Sequence, residues 1–265
     1  MQYLREKILW IDGLWLILLA LYIVAGISNT PFHGDESTVI YLGRDYYHQF
    51  IEGDLSQIRY DETGTISATD QHLRLLNSAI SKNIYGWILY QNGIERDVIN
   101  EQWDWGADYF YNLNTNRIPD TSILEQSRLA SSMQLIIATV ALFMIAINIT
   151  NRPTAYITSL YFVLNPNILL NGRRAMTEGS HLMGLMLVFI VAVWIISQRK
   201  WWGYICLGIA AGFAIASKHP NAIITALIFL AFLTLPIVES IQARQLHWQN
   251  IRYTIGGLIV AGMLT

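Results

Sequence analysis

The sequence predicts an all-α integral membrane protein, a multi-pass helix bundle with one large first outer loop that contains membrane-surface helices. Three observations predict it. Of 265 residues, 53% are hydrophobic and only 14% are charged, against about 25% charged in ordinary soluble domains. Apolar runs long enough for membrane helices recur along the chain. The charge is segregated: residues 28–128 hold 15 acids and 7 bases, a net of −8, while the other 164 residues hold 4 acids and 10 bases, a net of +6. The same arithmetic excludes other classes. A net charge of −2 argues against nucleic acid as a partner, which calls for a basic domain. One cysteine, Cys206, excludes a disulfide framework and a thiolate zinc cluster. So high an apolar content excludes disorder.

Each membrane element follows from its run of apolar residues, since about 20 are needed to cross the hydrocarbon. Residues 1–27 hold the first transmembrane helix, in the run Ile8–Ile27, broken only by Asp12. The large outer loop is 28–128. Residues 129–265 hold helices two to six and the start of a seventh. The runs are Ala130–Ile149, Ala155–Leu170 with Pro166 near its end, Gly179–Ser197, Tyr204–Ser217 and Ala222–Val238, and the seventh begins near Tyr253. Backbone hydrogen bonds must close within each segment in lipid, so these runs are helices. Arg5 and Lys7 also make the basic start of a signal peptide, but a signal core is usually about 7–15 residues and this run is longer, which favours a retained anchor. The last run stops at Thr265 without a polar flank, and the chain is expected to be the N-terminal part of a longer protein.

Orientation follows from the bases in the short connectors. With the N-terminus in the cytoplasm, the inner connectors hold Arg5, Lys7, Arg152, Arg199, Lys200, Arg244 and Arg252; the outer ones hold only Arg173, Arg174 and Lys218. The 28–128 loop then lies on the periplasmic, extracellular or lumenal side. It carries 14 of the 32 aromatic residues, which suits a loop lying at the headgroups. Ser37–Gly53 is spaced as one helix. A second helix is expected over His72–Tyr90, a turn or hairpin over Arg59–Thr69, and irregular chain over Trp103–Asn116.

Three polar clusters stand out, all on the outer side. His33-Gly34-Asp35-Glu36 follows the first helix. Partial desolvation would raise a carboxylate pKa and make a better base; the plainer alternative is a helix start capped by Asp35, with Glu36 at the positive dipole end. Asn171–His181 joins the third and fourth helices. Arg174, Glu178 and His181 are spaced to share one helical face, either as a polar stripe facing a cavity or as a local Arg–Glu pair. Lys218, beside His219 and Pro220 at the end of the fifth helix, is either a phosphate contact or a lysine snorkelling to headgroups. Convergence on one side favours a single outer active site. His48, His72 and His247 show no ligand spacing. Gly208 and Gly212 form a G-x-x-x-G packing signal. Asn148-Ile149-Thr150 matches a glycan sequon on the inner side.

The layout resembles the GT-C glycosyltransferases that use polyprenyl-phosphate sugar donors, and within them family 39, the protein O-mannosyltransferase and aminoarabinose-transferase-like group. The motifs are Asp35-Glu36 in FHGDES, Arg128 in EQSRLASS at the end of the long loop, Arg173 and Glu178 in GRRAMTEGS, and Lys218 in ASKHP. Where many members carry Asp, this chain has Glu178. The resemblance implies sugar transfer from a polyprenyl-phosphate-linked sugar, with inversion, to an acceptor lipid, glycan or protein. Asp35 would be the catalytic base and Glu36 its support. Lys218 and one or more of Arg128, Arg173 and Arg174 would hold the donor phosphate, with His33, His181 and His219 as further candidates. The partners implied are the donor, the acceptor and membrane lipids, with no nucleic acid. No cofactor is assigned; His33, Asp35 and Glu36 offer ligands to a divalent metal, but the resemblance does not require one. The competing readings are a multi-pass transporter, against which the nearly uncharged mid-helix positions and lack of repeats count, and a non-catalytic scaffold built on the acidic loop.

Overall fold

The computed structural model describes residues 9–61, 64, 67–198, 200–243 and 248–264. Arg5, Lys7, Arg199, Arg244 and His247 lie outside the described residues, as does most of the centre of the expected 59–69 turn. Among the described residues the chain is all-helical. It divides into two compact units: an apolar unit of Met1–Leu18, Ile137–Val163 and His181–Thr265, and a loop unit of Leu19–Ile136 and Leu164–Ser180.

The apolar unit is built from the first part of α1 (Trp10–Ala25), the second half of α7 (Thr121–Ile149), α8 (Arg152–Leu164), most of α10 (Glu178–Gln198), α11 (Trp201–Ser217), α12 (Asn221–Ala243) and α13 (Trp248–Leu264). By length and composition, α7 and α10 are apolar enough to cross a bilayer; α1, α11 and the Asn221–Thr234 part of α12 are shorter apolar helices. One core gathers Val188, Ile195, Leu207, Ala211, Phe229 and Ala261. Small residues let α11 and α13 approach closely: a methyl group on Gly208 would collide with the Gly257 carbonyl, and one on Gly212 would lie 2.6 Å from Leu264 Cβ. The G-x-x-x-G of the sequence is therefore a packing seam. Asp12, fully buried, accepts hydrogen bonds from the Leu9 amide at 2.8 Å, Tyr156 Oη at 2.6 Å and Arg152 Nε at 3.1 Å. These tie the start of α1 to α8 and account for an acid in an apolar run.

The loop unit holds α2 (Gly34–Leu42), α3 (Arg44–Tyr46) running into a π-turn over Tyr47–Ile51, α4 (Ala68–Leu76), α5 (Ala79–Gln91), α6 (Tyr109–Asn114), the first half of α7 and α9 (Pro166–Arg173). The helix expected over Ser37–Gly53 starts three residues earlier and is interrupted near Gly43. There α2 and α3 cross α5 so closely that a methyl group on Gly86 would meet the Gly43 carbonyl. The single helix expected over His72–Tyr90 is two helices, because Ser78 caps α5 by accepting from the Ser81 amide at 3.1 Å. The expected third membrane helix, Ala155–Leu170, is likewise two. Asn165 accepts from the amides of Asn167 and Ile168, and Pro166 sits at the first turn of α9, where a missing N–H costs nothing. The loop core joins Val39, Ile40, Tyr85, Leu89, Ile99, Ile123 and Ala175. Asp45 is buried between Arg74, which donates through both Nε and Nη2, and Lys82 at 2.7 Å, so a three-charge cluster joins α3 to α4 and α5.

Candidate active site

The polar centre of the loop unit forms around α2. Its helix start is a capping box: His33 Nδ1 accepts from the Asp35 amide at 3.2 Å, and the His33 amide donates to Glu36 Oε2 at 3.0 Å. The cap is thus His33, not Asp35. An imidazole takes the place usually held by Ser, Thr, Asp or Asn, which is why the sequence pattern hid it.

Glu36 is fully buried and fully used. Arg128 grips it with a two-point fork, Nε to Oε1 at 2.7 Å and Nη2 to Oε2 at 2.8 Å. The Ala175 amide donates to Oε1 at 3.0 Å. Arg128 Nη1 reaches the Ile27 carbonyl at 3.3 Å. A buried pair of this kind is tolerable only when its remaining lone pairs and N–H groups are satisfied, and here they are. The pair locks together the end of the α1 segment, α2, α7 and the turn after α9. Arg128, at 3% exposure, presents its guanidinium to Glu36 rather than to a surface anion.

Asp35, one residue earlier, faces elsewhere. Its side chain is 47% exposed, with Oδ2 3.4 Å from His33 Nδ1. Beside it the indole of Trp103 lies flat against Gly34: a methyl group there would come within 2.8–3.0 Å of three indole atoms. Trp103 and Trp105 are edge-on at 6.1 Å, and Trp105 is 6.1 Å from the His33 ring. Nothing in the sequence singles out these tryptophans in a stretch expected to be irregular, whose later part, Tyr109–Asn114, is instead helix α6.

The two arginines of GRR have different surroundings. Arg173 donates through Nε to the Ile23 carbonyl at 2.8 Å and through Nη2 to the Tyr22 carbonyl at 2.5 Å, with its guanidinium over the Tyr22 ring. It caps the last turn of α1, where unpaired carbonyls and the negative dipole end favour a cation. Gly26 makes room, since a methyl group there would collide with the guanidinium. Arg174 is held more loosely, by Nε to the Pro31 carbonyl at 3.2 Å and Nη1 to Asn171 Oδ1 at 3.4 Å. Arg174 lies in the bend that precedes α10, so it does not share a helix with Glu178 as the spacing implied. Glu178 and His181 both fall in the opening of α10, each half-buried.

Tyr85 of α5, fully buried, donates to the Met176 carbonyl at 2.5 Å, and Ser81 and Ser180 share a hydrogen bond at 2.6 Å. Burial, together with the Glu178 and Glu36 carboxylates, raises the Tyr85 pKa well above that of a free phenol, so it remains a donor to this turn. Ser131 donates to the Gly172 carbonyl at 2.9 Å. These residues hold the 174–177 turn, and only contacts between distant segments reveal them. In the apolar unit, Lys218 is the half-buried C-cap of α11; its amide donates to the Ala214 carbonyl at 3.1 Å and its own carbonyl accepts from the Asn221 amide at 2.9 Å. His219 follows it, exposed.

Comparison with known proteins finds no matching curated protein and no matching solved structure. It does find a family. Residues 103–260 match the family described as dolichyl-phosphate-mannose-protein mannosyltransferase. The match takes in Arg128, Arg173, Arg174, Glu178, His181, Lys218 and His219, and begins after Asp35 and Glu36. Covering more than half of the 265 residues and agreeing with described residues that are all-helical and include two span-length apolar helices, it shows that the chain belongs to the dolichyl-phosphate-mannose-protein mannosyltransferase family of membrane glycosyltransferases.

Proposed function

We propose that the protein moves a hexose, mannose by the family's description, from a polyprenyl-phosphate donor to a hydroxyl acceptor, with inversion at the anomeric carbon. It does so in a GT-C-like multi-pass bundle whose 28–128 loop and active site face the periplasm, cell exterior or lumen, with the N-terminus in the cytoplasm. The family's description points to a protein as the acceptor.

The observation that carries this reading is the division of labour in the acidic pair: Glu36 is buried and locked by Arg128, while Asp35 is half-exposed at a rigid helix start. Asp35 takes the acceptor hydroxyl proton as that oxygen bonds to the anomeric carbon. The bond from that carbon to the phosphate oxygen breaks, and the polyprenyl phosphate leaves with its electron pair. Arg174, held more loosely than Arg128 and Arg173, stabilises the developing phosphate charge; Lys218, in the apolar unit, is a phosphate candidate on the resemblance alone. Arg128 and Arg173 act by positioning: the first fixes Glu36 and hence the start of α2, the second fixes α1. Glu178 is assigned to the wall of the site; His181 and His219, in the apolar unit, are candidates on the resemblance alone.

The test is Asp35→Asn in protein reconstituted in lipid nanodiscs. Transfer of radiolabelled mannose from polyprenyl-phosphate mannose is expected to fall by about 10²–10⁴-fold, the usual contribution of a general base, with an unchanged thermal midpoint. Transfer at the wild-type rate would overturn Asp35 as the base.

A further inference from the structure

Trp103 and Trp105 border the helix start that carries Asp35, the first against Gly34 and the second 6.1 Å from the His33 ring. The loop that carries them is stiff. Buried Asn112 accepts from the Asp104 amide at 2.8 Å and donates to the carbonyls of Asp104 and Asp108 at 3.0 and 2.9 Å. The Glu101 amide donates to the Asn116 carbonyl at 2.7 Å, and Arg117 Nη1 to the Gln102 carbonyl at 2.5 Å. This loop is then fastened to the helix that bears Asp35: Ser37 Oγ donates to the Arg117 carbonyl at 2.5 Å, and Asn100 Nδ2 donates to Ser37 Oγ at 2.9 Å. The register between the tryptophans and Asp35 is therefore fixed before any ligand arrives.

On this fixed loop Trp105 is 60% exposed. Trp103 is half-buried against Gly34, and its indole N–H has no hydrogen-bond partner among the described residues. The surface offers a flat aromatic face next to a carboxylate, an imidazole and an indole donor. That pairing of a flat apolar face with a rim of donors and acceptors is the complement of a pyranose ring, whose C–H face is apolar and whose edge is hydroxylated.

We propose that Trp103 and Trp105, with His33, form a stacking shelf for a pyranose ring beside Asp35. Trp105 supplies the face and Trp103 a hydroxyl-directed donor. The assignment rests on the proposed sugar transfer. The ring comes either from the hexose of the lipid donor or from a glycan acceptor.

The test measures binding of polyprenyl-phosphate mannose and of unglycosylated polyprenyl phosphate to wild-type, Trp105→Ala and Trp105→Phe protein in nanodiscs, with thermal midpoints as the control for folding. Trp105→Ala is expected to weaken the mannosylated lipid by about 3- to 10-fold, the range of an aromatic contact, and to leave the bare lipid unchanged. Trp105→Phe is expected to retain most of the affinity. If the lipid affinities hold but the KM for an oligosaccharide acceptor rises in Trp105→Ala, the ring is the acceptor's and the shelf stands. Equal loss for both lipids, a KM change for a peptide acceptor alone, or no change in any measurement would overturn the shelf while leaving the donor reading intact. Wild-type protein that binds neither lipid would overturn the donor reading and the shelf with it.

Discussion

Glu36 keeps none of its side chain exposed, whereas nearly half of Asp35 reaches solvent. Adjacent helix positions point about 100° apart, so the residue at the third helical position turns inward and its neighbour outward. The inward carboxylate has four hydrogen bonds from Arg128 and two backbone amides. Glu36→Gln keeps its shape but leaves Arg128 buried without its counter-charge. A loss of one member of such a pair costs about 3–5 kcal/mol, so the variant should show a clearly lowered thermal midpoint along with lost activity. Asp35→Asn should lose activity only. A double variant, Glu36→Gln with Arg128→Met, should be less destabilised than the sum of its single changes, because the pair acts as one unit. Additive losses would mean that the two side chains do not support each other. The sequence alone showed the acidic pair and the distant arginine, but not their connection: Glu36 and Arg128 are 92 positions apart, and nothing in their spacing distinguishes a structural arginine from one that waits for phosphate. The same holds for Arg173, whose partners are backbone carbonyls of α1.

At the level of the elements, apolar runs located the long helices well, because hydrophobic length is a local property. Helix interruptions were less legible. The break at Asn165-Pro166 carries a local signal, an Asn cap followed by Pro, yet it lies inside an apolar run that reads as one span. The crossing at Gly43 and Gly86 has no local signal, since each glycine matters only because the other chain segment is there. The contact of α11 with α13 shows how such a seam is tested. Gly208→Ala would place a methyl group into the Gly257 carbonyl, whereas a methyl group on Gly256 meets nothing within 4 Å. Overpacking of this kind costs about 1–3 kcal/mol, while an unobstructed Gly→Ala change in a helix is neutral or gains about 0.5–1 kcal/mol. Thermal midpoints of the two variants should therefore move apart, with Gly208→Ala lower than wild type and Gly256→Ala equal or higher. Equal midpoints would show that the seam does not need its small residues.

Across the whole molecule, the near-zero net charge is a cancellation between an acidic loop at −8 and a remainder at +6. The proposed orientation rests on the basic residues of the short connectors, and it is directly testable. The chain offers a convenient one, because Cys206 is its sole cysteine. In a Cys206→Ala background, a reporter cysteine is placed at Asp97, exposed in the large loop, or at Asn151, exposed in the connector after α7. The 29 residues of α7, which lies between the two reporters in the sequence, extend about 44 Å at 1.5 Å per residue, enough to cross a bilayer. A membrane-impermeant maleimide added to intact cells or sealed vesicles of known sidedness should label Asp97→Cys from the outer or lumenal face. It should label Asn151→Cys only after the membrane is permeabilised. Labelling of both from the same face would mean that α7 does not span the bilayer. Labelling of Asn151→Cys alone would invert the orientation, and would place Asp35 and its tryptophans on the cytoplasmic side.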